Sequence, residues 1–240
     1  MKKVFKWIGL AMLLMVVGFY IWAEALVPVM PEAEATMAST DSYEYIDNGY
    51  LYYKPIKNDL KISIIIYPGA RVEADSYGVI GAKLAEMGYH VYMPRFFADI
   101  AFFGINKAET IMAEQAWCDT WYIGGHSLGG VAASNYLAGN LDEFEGLILF
   151  ASYPAGEDDL SDSGIRCLSI YGEFDGLATV EEIEVNKKLL PIDTAYHMIE
   201  GGNHGYFGYY GDQSGDGTAT ITRQAQQEEI VGVIDEWIKK

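Results

Sequence analysis

The sequence has 240 residues, half of them hydrophobic, and a formal net charge of −18. This length and apolar content suit one globular domain with a sizeable core and exclude a largely disordered chain. The negative charge disfavours nucleic acid as a partner, because phosphates require a basic surface, and it disfavours broad contact of the domain with anionic lipid. We therefore expect an acidic, self-repelling surface without a nucleic-acid partner.

An apolar segment preceded by lysines opens the chain. Three lysines lie within the first six residues, and the run from Trp7 to Ala23 carries no charge, which is close to the shortest membrane-spanning length. The lysines favour a cytoplasmic N-terminus and a translocated remainder. Two alternatives stay open for residues 1–25: an uncleaved signal anchor, favoured by aromatic residues at both ends of the run, or a cleaved signal peptide. Either one places the domain outside the cytoplasm, attached to the cell membrane or secreted.

Residues 26–42 are rich in proline, alanine and glutamate and are predicted to be a linker, so we expect the domain over 43–240. Only two cysteines occur, Cys118 and Cys167, at the starts of predicted strands that we do not expect to be neighbours. We therefore predict free thiols rather than a disulfide. Because neither cysteine has metal-ligand spacing, the cysteines give no indication of a metal, and we expect no cofactor.

Strand-like and helix-like segments alternate along the domain. An Asn-Gly turn joins two short strands into a predicted β-hairpin over 43–53. Apolar, β-branched runs predict further strands at 61–67, 89–93, 120–126, 145–152, 165–171 and 194–199, and helical spacing predicts helices at 74–87, 106–115, 180–190 and 220–239, with another after residue 127. This alternation predicts an α/β fold with a mostly parallel sheet, helices on both faces and ligands bound at the carboxyl ends of the strands.

The most specific motif lies at the end of one of these strands. The residues Gly125, His126, Ser127, Leu128 and Gly129 have the form G-x-S-x-G between an apolar strand and an alanine-rich helix. In this arrangement the serine adopts a strained backbone conformation that lifts its hydroxyl out of the sheet. Glycine fits two positions before and after it, because a side chain there would collide with the turn. The motif predicts that Ser127 is a nucleophile.

A serine nucleophile needs a general base, and His204 is the candidate among the four histidines of the chain. It follows the last predicted strand in a glycine-rich loop that can place an imidazole over the site. Asp175 follows the predicted strand over 165–171 and is the candidate acid that orients the histidine, with Glu173 as the alternative. All three candidates come after strands, as a site at the carboxyl edge of the sheet requires.

Such a site also needs N–H donors for the negative charge that develops on the substrate oxygen. The first expected donor is the backbone N–H of Leu128, directly after the nucleophile. The second is expected in the loop after the predicted strand over 61–67. Pro68 has no N–H there, so Ala70 is the preferred donor and Arg71 is the alternative.

Four motifs together resemble those of the α/β-hydrolase fold superfamily, in particular its small, cap-less group of dienelactone-hydrolase-like and bacterial carboxylesterase-like proteins. The motifs lie at 67–69, 124–130, 172–177 and 201–204. The resemblance implies the α/β-hydrolase fold over 43–240 and a catalytic triad in the order Ser127, Asp175, His204. Serine stands where dienelactone hydrolases use a cysteine, so the resemblance favours ester substrates over dienelactones.

The connection between the predicted strands at 145–152 and 165–171 is short and acidic, and it leaves no room for a large lid. We therefore expect a monomeric serine esterase with an open site for a small, short-chain carboxylic ester. Arg71, His126 and Phe174 are candidate substrate-binding residues. Two alternatives stay open: an acyltransferase that uses the same triad with an acceptor from the cell envelope, and a catalytically silent binding protein tethered to the membrane.

Overall fold

The computed structural model describes residues 28–240 and, before them, only Trp7, Met12, Leu14, Met15 and Gly18. Apart from those five positions, the predicted anchor or signal peptide over 1–25 lies outside the described residues and stays a prediction. Among the described residues, no helix has the length and apolar character needed to cross a membrane.

An eight-stranded sheet forms the centre of the molecule, with the strand order β1-β2-β4-β3-β5-β6-β7-β8. The strands are β1 (Tyr43–Asp47), β2 (Tyr50–Pro55), β3 (Ile62–Tyr67), β4 (His90–Pro94), β5 (Thr120–His126), β6 (Gly146–Phe150), β7 (Arg166–Gly172) and β8 (Ala195–Ile199). Only β2 runs against the others; it pairs antiparallel with β1 in the predicted hairpin and with β4, and every other pair is parallel. This confirms the predicted mostly parallel sheet with an N-terminal hairpin.

Helices cover both faces of this sheet. They are α1 (Pro31–Glu34), α2 (Gly78–Met87), α3 (Lys107–Glu114), α4 (Leu128–Ala138), α5 (Val180–Asn186) and α6 (Arg223–Ile238). Along β3, Ile64 and Ile66 join a core with side chains of α2 and α6, whereas Ile65 and Tyr67 join a second core with side chains of α3 and α4. Because successive residues of a strand point to opposite faces, a fully apolar strand such as β3 requires cover on both.

Two predicted helices begin or end differently in the structure. The predicted helix over 74–87 starts as a 3-10 turn at Ala74–Tyr77 before α2. The predicted helix over 180–190 is α-helical only to Asn186 and continues as a 3-10 turn at Lys187–Leu189. The helix cannot continue further because Pro191 follows, and the residue before a proline is held in extended backbone, as Leu190 is.

The described part of the predicted linker packs against the domain. Helix α1 places Ala33 in full burial, and the Met30 N–H donates to the Tyr209 carbonyl at 3.0 Å. The Thr36 hydroxyl lies 3.1 Å from the hydroxyl of Tyr53 on β2. Residues from 30 onward are therefore tied to the same end of the molecule as the loop that follows β8.

The connection between β6 and β7 is short, as predicted, and contains no inserted helix or strand. It is held down by the Asn135 amide, which donates to Asp158 at 2.8 Å, and by the Leu160 N–H, which donates to the Leu189 carbonyl at 2.9 Å. Cys118 and Cys167 are both buried and free, since β6 separates the strands β5 and β7 at whose starts they lie.

Candidate active site

Ser127 occupies a strained turn between β5 and α4. Its backbone has φ 51° and ψ −125°, a region that a residue with a side chain rarely adopts and that costs about 1–3 kcal/mol. Two neighbours hold it there. The Ser127 N–H donates to the Phe150 carbonyl at 3.0 Å, and the Ser152 hydroxyl donates to the Ser127 carbonyl at 2.7 Å. The turn thus presents the Ser127 side chain, which is partly exposed, at the carboxyl edge of the sheet.

The glycines on either side of this turn are required by close backbone contacts. A Cβ on Gly125 would lie 2.5 Å from the carbonyl carbon of Gly129. A Cβ on Gly129 would lie 2.3 Å from the carbonyl oxygens of both Tyr67 and Pro68. Tyr67 and Pro68 lie at the end of β3, the strand next to β5. Gly129 therefore also lets the loop after β3 approach the start of α4.

His204 and Asp175 form a buried, hydrogen-bonded pair. Nδ1 of His204 lies 2.9 Å from Oδ2 and 3.1 Å from Oδ1 of Asp175, and the two side chains are 1 % and 0 % exposed. The carboxylate also accepts the N–H groups of Leu177 and Ala178 at 2.9 Å and 2.7 Å. Because a carboxylate accepts at Nδ1, the neutral imidazole carries its proton there and leaves Nε2 with a lone pair.

Nε2 of His204 is buried and has no hydrogen-bond partner within the described part of the chain. The Ser127 hydroxyl makes no hydrogen bond to it in this structure, although the ring of His126, the residue before Ser127, lies 4.4 Å from the ring of His204. Hydrogen bonds between nucleophile and base are often long until substrate is bound. The structure therefore brings Asp175 and His204 into contact and places Ser127 at the same edge of the sheet.

Glu173, the alternative acid, has a different partner. Its Oε2 accepts the N–H of Gly201 at 2.8 Å, so the carboxylate holds the start of the loop that carries His204. Asp175 is the carboxylate that contacts the imidazole.

Asp216 is a functional candidate that the sequence analysis missed. Its Oδ1 accepts the N–H groups of Gly176, His204 and Gly217 at 3.2, 3.1 and 2.8 Å, and its Oδ2 accepts the N–H of Gly205 at 2.8 Å. One carboxylate thus ties the loop that carries Asp175 to the loop that carries His204. The only sequence feature that could have indicated it is an aspartate between two glycines, which is also typical of an ordinary turn.

Two backbone N–H groups, those of Leu128 and Ala70, are the predicted donors to negative charge at Ser127. Leu128 is the first residue of α4, where the helix dipole favours an anion. In the loop after β3, the Gly69 N–H donates to the Tyr77 hydroxyl at 3.0 Å and the Arg71 N–H donates to the Asp99 carbonyl at 2.7 Å. The N–H groups of both neighbours of Ala70 are therefore hydrogen-bonded, whereas the Ala70 N–H has no acceptor among the described residues.

A small cavity of about 210 Å³ opens directly beside Ser127. Most of its lining is apolar and comes from Leu128, Val131, Ala151, Leu177 and Ala178, while Ser152 and Tyr153 supply polar atoms. Pockets for drug-sized ligands run from about 300 to 1,000 Å³. This cavity is smaller, so it suits a short apolar group.

The three predicted substrate-binding residues occupy different environments. Phe174 is 39 % exposed beside Asp175, and Arg71 is partly buried with a φ of 60°. His126 is only 1 % exposed and does not line the cavity beside Ser127. The reason is the pleat of β5, because successive side chains of a strand point to opposite faces of the sheet. The His126 side chain points to the face where its ring packs on Phe207, with ring centroids 5.5 Å apart.

Within residues 28–240 and the five earlier positions, no cluster of three or more His, Cys, Asp or Glu side chains is arranged to hold a metal ion. The acidic turn around Asp216 illustrates why, because its carboxylate oxygens already accept backbone N–H groups.

Comparisons with known proteins agree with this architecture. The family model described as "Alpha/beta hydrolase family" matches residues 63–228. No curated protein matches the chain. Similar solved structures include a predicted CIB-like hydrolase from Thermoplasma acidophilum, with 16% identity, a TM-score of 0.55, and coverage of 81% of this chain and 98% of that one.

Two further structures are similar to the same extent. MGS-MChE2, an alpha/beta hydrolase enzyme from a metagenome of lagoon sediments at Mar Chica, Morocco, has 16% identity and a TM-score of 0.61 over 83% of this chain and 98% of that one. Est1E from Butyrivibrio proteoclasticus, with ferulic acid bound, has 15% identity and a TM-score of 0.61 over 82% of this chain and 100% of that one. At such identities the likeness shows a shared fold.

Proposed function

The chain belongs to the alpha/beta hydrolase family, and we propose that it is a serine hydrolase that cleaves small, short-chain carboxylic esters through Ser127, His204 and Asp175. The observation that carries this proposal is the buried His204–Asp175 pair, at the same edge of the sheet as the strained Ser127. Nε2 of its imidazole has no partner among the described residues. This combination matches what an activated serine requires: a base, and a third group that orients the base.

In the proposed reaction, Nε2 of His204 accepts the proton of the Ser127 hydroxyl while the serine oxygen attacks the ester carbonyl. The Asp175 carboxylate stabilises the imidazolium that forms. The tetrahedral intermediate collapses as His204 returns the proton to the leaving alcohol, which leaves an acyl group on Ser127. A water molecule, deprotonated by His204, then releases the carboxylic acid and restores the serine.

The N–H groups of Leu128 and Ala70 stabilise the negative oxygen of the two tetrahedral intermediates. Removing one such donor costs about 3 kcal/mol of barrier in well-studied enzymes. The strained φ and ψ of Ser127 and the two occupied N–H groups that flank Ala70 support this assignment, because both restrict where the donors can point.

Two observations support a short acyl or alcohol group. The cavity beside Ser127 measures about 210 Å³, and the connection between β6 and β7 inserts no helix or strand over it. A relative in fold, Est1E, binds ferulic acid, which supports carboxylic esters as the substrate class.

The test is turnover of p-nitrophenyl acetate, butyrate and octanoate by the chain and by Ser127→Ala. We expect the short esters to be favoured, and we expect Ser127→Ala to lose turnover and covalent labelling by a fluorophosphonate. Ser134→Ala is the matched control, since this buried serine donates to the Gly130 carbonyl within α4 and lies outside the proposed machinery. Unchanged turnover in Ser127→Ala would refute the proposal, and transfer to an added alcohol in preference to water would indicate an acyltransferase.

A further inference from the structure

A chain of buried hydrogen bonds joins the loop after β3 to the nucleophile strand. The Gly69 N–H donates to the Tyr77 hydroxyl oxygen at 3.0 Å, and the same hydroxyl lies 2.8 Å from Nδ1 of His126. Tyr77 is 0% exposed and His126 is 1% exposed, so water does not compete for these bonds. Tyr77 belongs to the 3-10 turn before α2 and His126 to β5. The two hydrogen bonds therefore link this turn, the end of β5 and the loop after β3.

The first bond leaves the hydrogen of the Tyr77 hydroxyl free for the second. Because one lone pair of the Tyr77 oxygen accepts the Gly69 N–H, its own hydrogen is available to donate to Nδ1 of His126. With this direction, the neutral His126 carries its proton on Nε2, which is buried and has no hydrogen-bond partner among the described residues. Burial lowers the pKa of His126 well below the ordinary value, and the charge of the neighbouring His204 lowers it further. Burial also raises the pKa of the Tyr77 hydroxyl, so both groups stay neutral at working pH.

Gly69 packs so closely against His126 and Tyr77 that it leaves no space for a side chain. A Cβ at this position would lie 2.8 Å from Nδ1 of His126 and 3.0 Å from the Tyr77 hydroxyl oxygen. On the other side of Ala70, the Arg71 N–H donates to the Asp99 carbonyl at 2.7 Å. The peptide groups on either side of the one that carries the Ala70 N–H are therefore both held, and the Gly69 carbonyl of that peptide group itself accepts the Val72 N–H at 3.2 Å. These three bonds restrict the direction of the Ala70 N–H.

We propose that Tyr77 and His126 are positioning residues that hold the Ala70 N–H toward the oxygen that becomes negative during ester cleavage. This inference rests on the proposed function. A donor that is fixed in advance stabilises the transition state without reorganisation, and it does little for the bound ester, whose carbonyl oxygen lies elsewhere. Loss of the Tyr77 hydroxyl should therefore lower kcat and leave KM almost unchanged.

His126 has a second consequence for the base. The centroid of its ring lies 4.4 Å from the centroid of the His204 ring. A cation in this position would oppose the imidazolium that His204 forms during the reaction, and the neutral His126 avoids this repulsion.

The first experiment compares Tyr77→Phe with Tyr210→Phe. Both tyrosines are fully buried near His126, but the Tyr210 hydroxyl donates to Gln213 instead, so its loss removes a buried hydroxyl without touching the loop after β3. For Tyr77→Phe we expect kcat to fall about 10- to 100-fold, with KM within about 2-fold, because a donor is displaced rather than deleted. Tyr210→Phe should keep kcat within about 3-fold of the parent chain.

A transition-state analogue separates positioning from a purely structural role. A trifluoromethyl ketone forms a tetrahedral adduct with a serine nucleophile, and the adduct oxygen occupies the place of the negative oxygen. Tyr77→Phe should weaken its binding by about the same factor as the loss in kcat. A general loosening of the fold would instead raise KM and lower the unfolding temperature together.

Two substitutions of His126 give an independent test should Tyr77→Phe fail to fold. His126→Asn places an amide oxygen near the position of Nδ1 and keeps an acceptor for Tyr77, whereas His126→Leu removes it. We expect His126→Asn to retain most of kcat and His126→Leu to lose about 10-fold or more.

Equal kcat and equal analogue affinity in Tyr77→Phe and Tyr210→Phe would overturn the inference, as would equal kcat in His126→Asn and His126→Leu. These outcomes leave the proposed function intact as long as Ser127→Ala is inactive. Turnover that survives Ser127→Ala refutes the proposed function itself.

Discussion

Two buried histidines of the molecule contact an aspartate, one at each end of the parallel strands. At the carboxyl end, His204 contacts Asp175 through Nδ1 at 2.9 Å, and its Nε2 has no partner among the described residues. At the amino end, His90 is bonded through both nitrogens: Nε2 lies 2.9 Å from Asp59, and Nδ1 lies 2.6 Å from the Tyr52 hydroxyl. Both pairs join a buried histidine to an aspartate. Of these two histidines, His204 alone has a ring nitrogen without a hydrogen-bond partner among the described residues.

The carboxylates differ as well. Asp175 is shielded from solvent and accepts two backbone N–H groups, whereas the Asp59 side chain is 31 % exposed and also contacts Lys61. Burial raises the pKa of Asp59, but hydrogen bonds from Lys61 and His90 outweigh this effect and lower it to about 2. A histidine–aspartate contact therefore does not by itself indicate catalysis. A nitrogen without a partner and a nearby nucleophile distinguish the pair that we propose as catalytic.

The largest expected effect separates the two histidines. His204→Ala should lower kcat/KM for p-nitrophenyl acetate by at least about 10³-fold, because the serine loses its base, whereas His90→Gln should remain within about 3-fold. Circular dichroism would verify that both variants fold. Comparable losses in the two variants would mean that the free nitrogen of His204 has no special role.

A smaller effect is expected from the carboxylate that connects the acid and base loops. Asp216→Asn replaces one acceptor oxygen with an NH₂ group facing backbone donors, which leaves at least one N–H unpaired at a cost of about 1–3 kcal/mol. We expect lower stability in urea unfolding and a kcat reduced by about 10-fold or more through misplacement of His204.

Asp59→Asn is the matched control for that substitution. It makes the same chemical change in a carboxylate that holds the other histidine, at the end of the sheet away from Ser127. Its kcat should equal that of the parent chain. If Asp216→Asn also kept full kcat, then Asp216 would not position the base.

The smallest effect concerns stability against pH. Burial lowers the pKa of both His90 and His126, so the folded chain binds fewer protons than the unfolded chain below the unfolded value of about 6.5. The free energy of unfolding should therefore fall as the pH is lowered from about 7 through 6.5 toward the folded pKa values. Urea unfolding at several pH values would measure this slope, and His90→Gln should make it shallower. A slope unchanged by His90→Gln would show that His90 titrates normally in the folded chain.

Much of the candidate site could be predicted because its signals are local. The strained turn at Ser127 follows largely from sterics within five residues, and the close contact of Gly125 with Gly129 agrees with that expectation. His204 and Asp175 could be placed after strands because parallel strands end at one edge of a sheet. The fold itself was predictable from the alternation of apolar strands with helices, and the sheet order confirms it.

Other features depend on residues that are distant in the sequence. Asp216 bonds to loops about 10 to 40 positions away, and Tyr77 lies 49 positions before His126. No spacing rule indicates such contacts, because any buried tyrosine or any aspartate in a turn has the same local pattern. The same limit applies to His126, a substrate-binding candidate in the sequence whose ring packs against Phe207 in the fold.

By itself, then, the sequence determined the kinds of elements, their alternation and the strained serine, because short-range sterics and apolar periodicity decide these. The tertiary structure alone decided which polar groups end up paired. Hydrogen-bond partners depend on how loops from different strands meet. A buried polar group without a partner costs free energy, because water cannot replace the missing partner. That is why, within the described part of the chain, His204 and not His90 keeps a nitrogen without a partner, at the edge of the sheet where Ser127 lies.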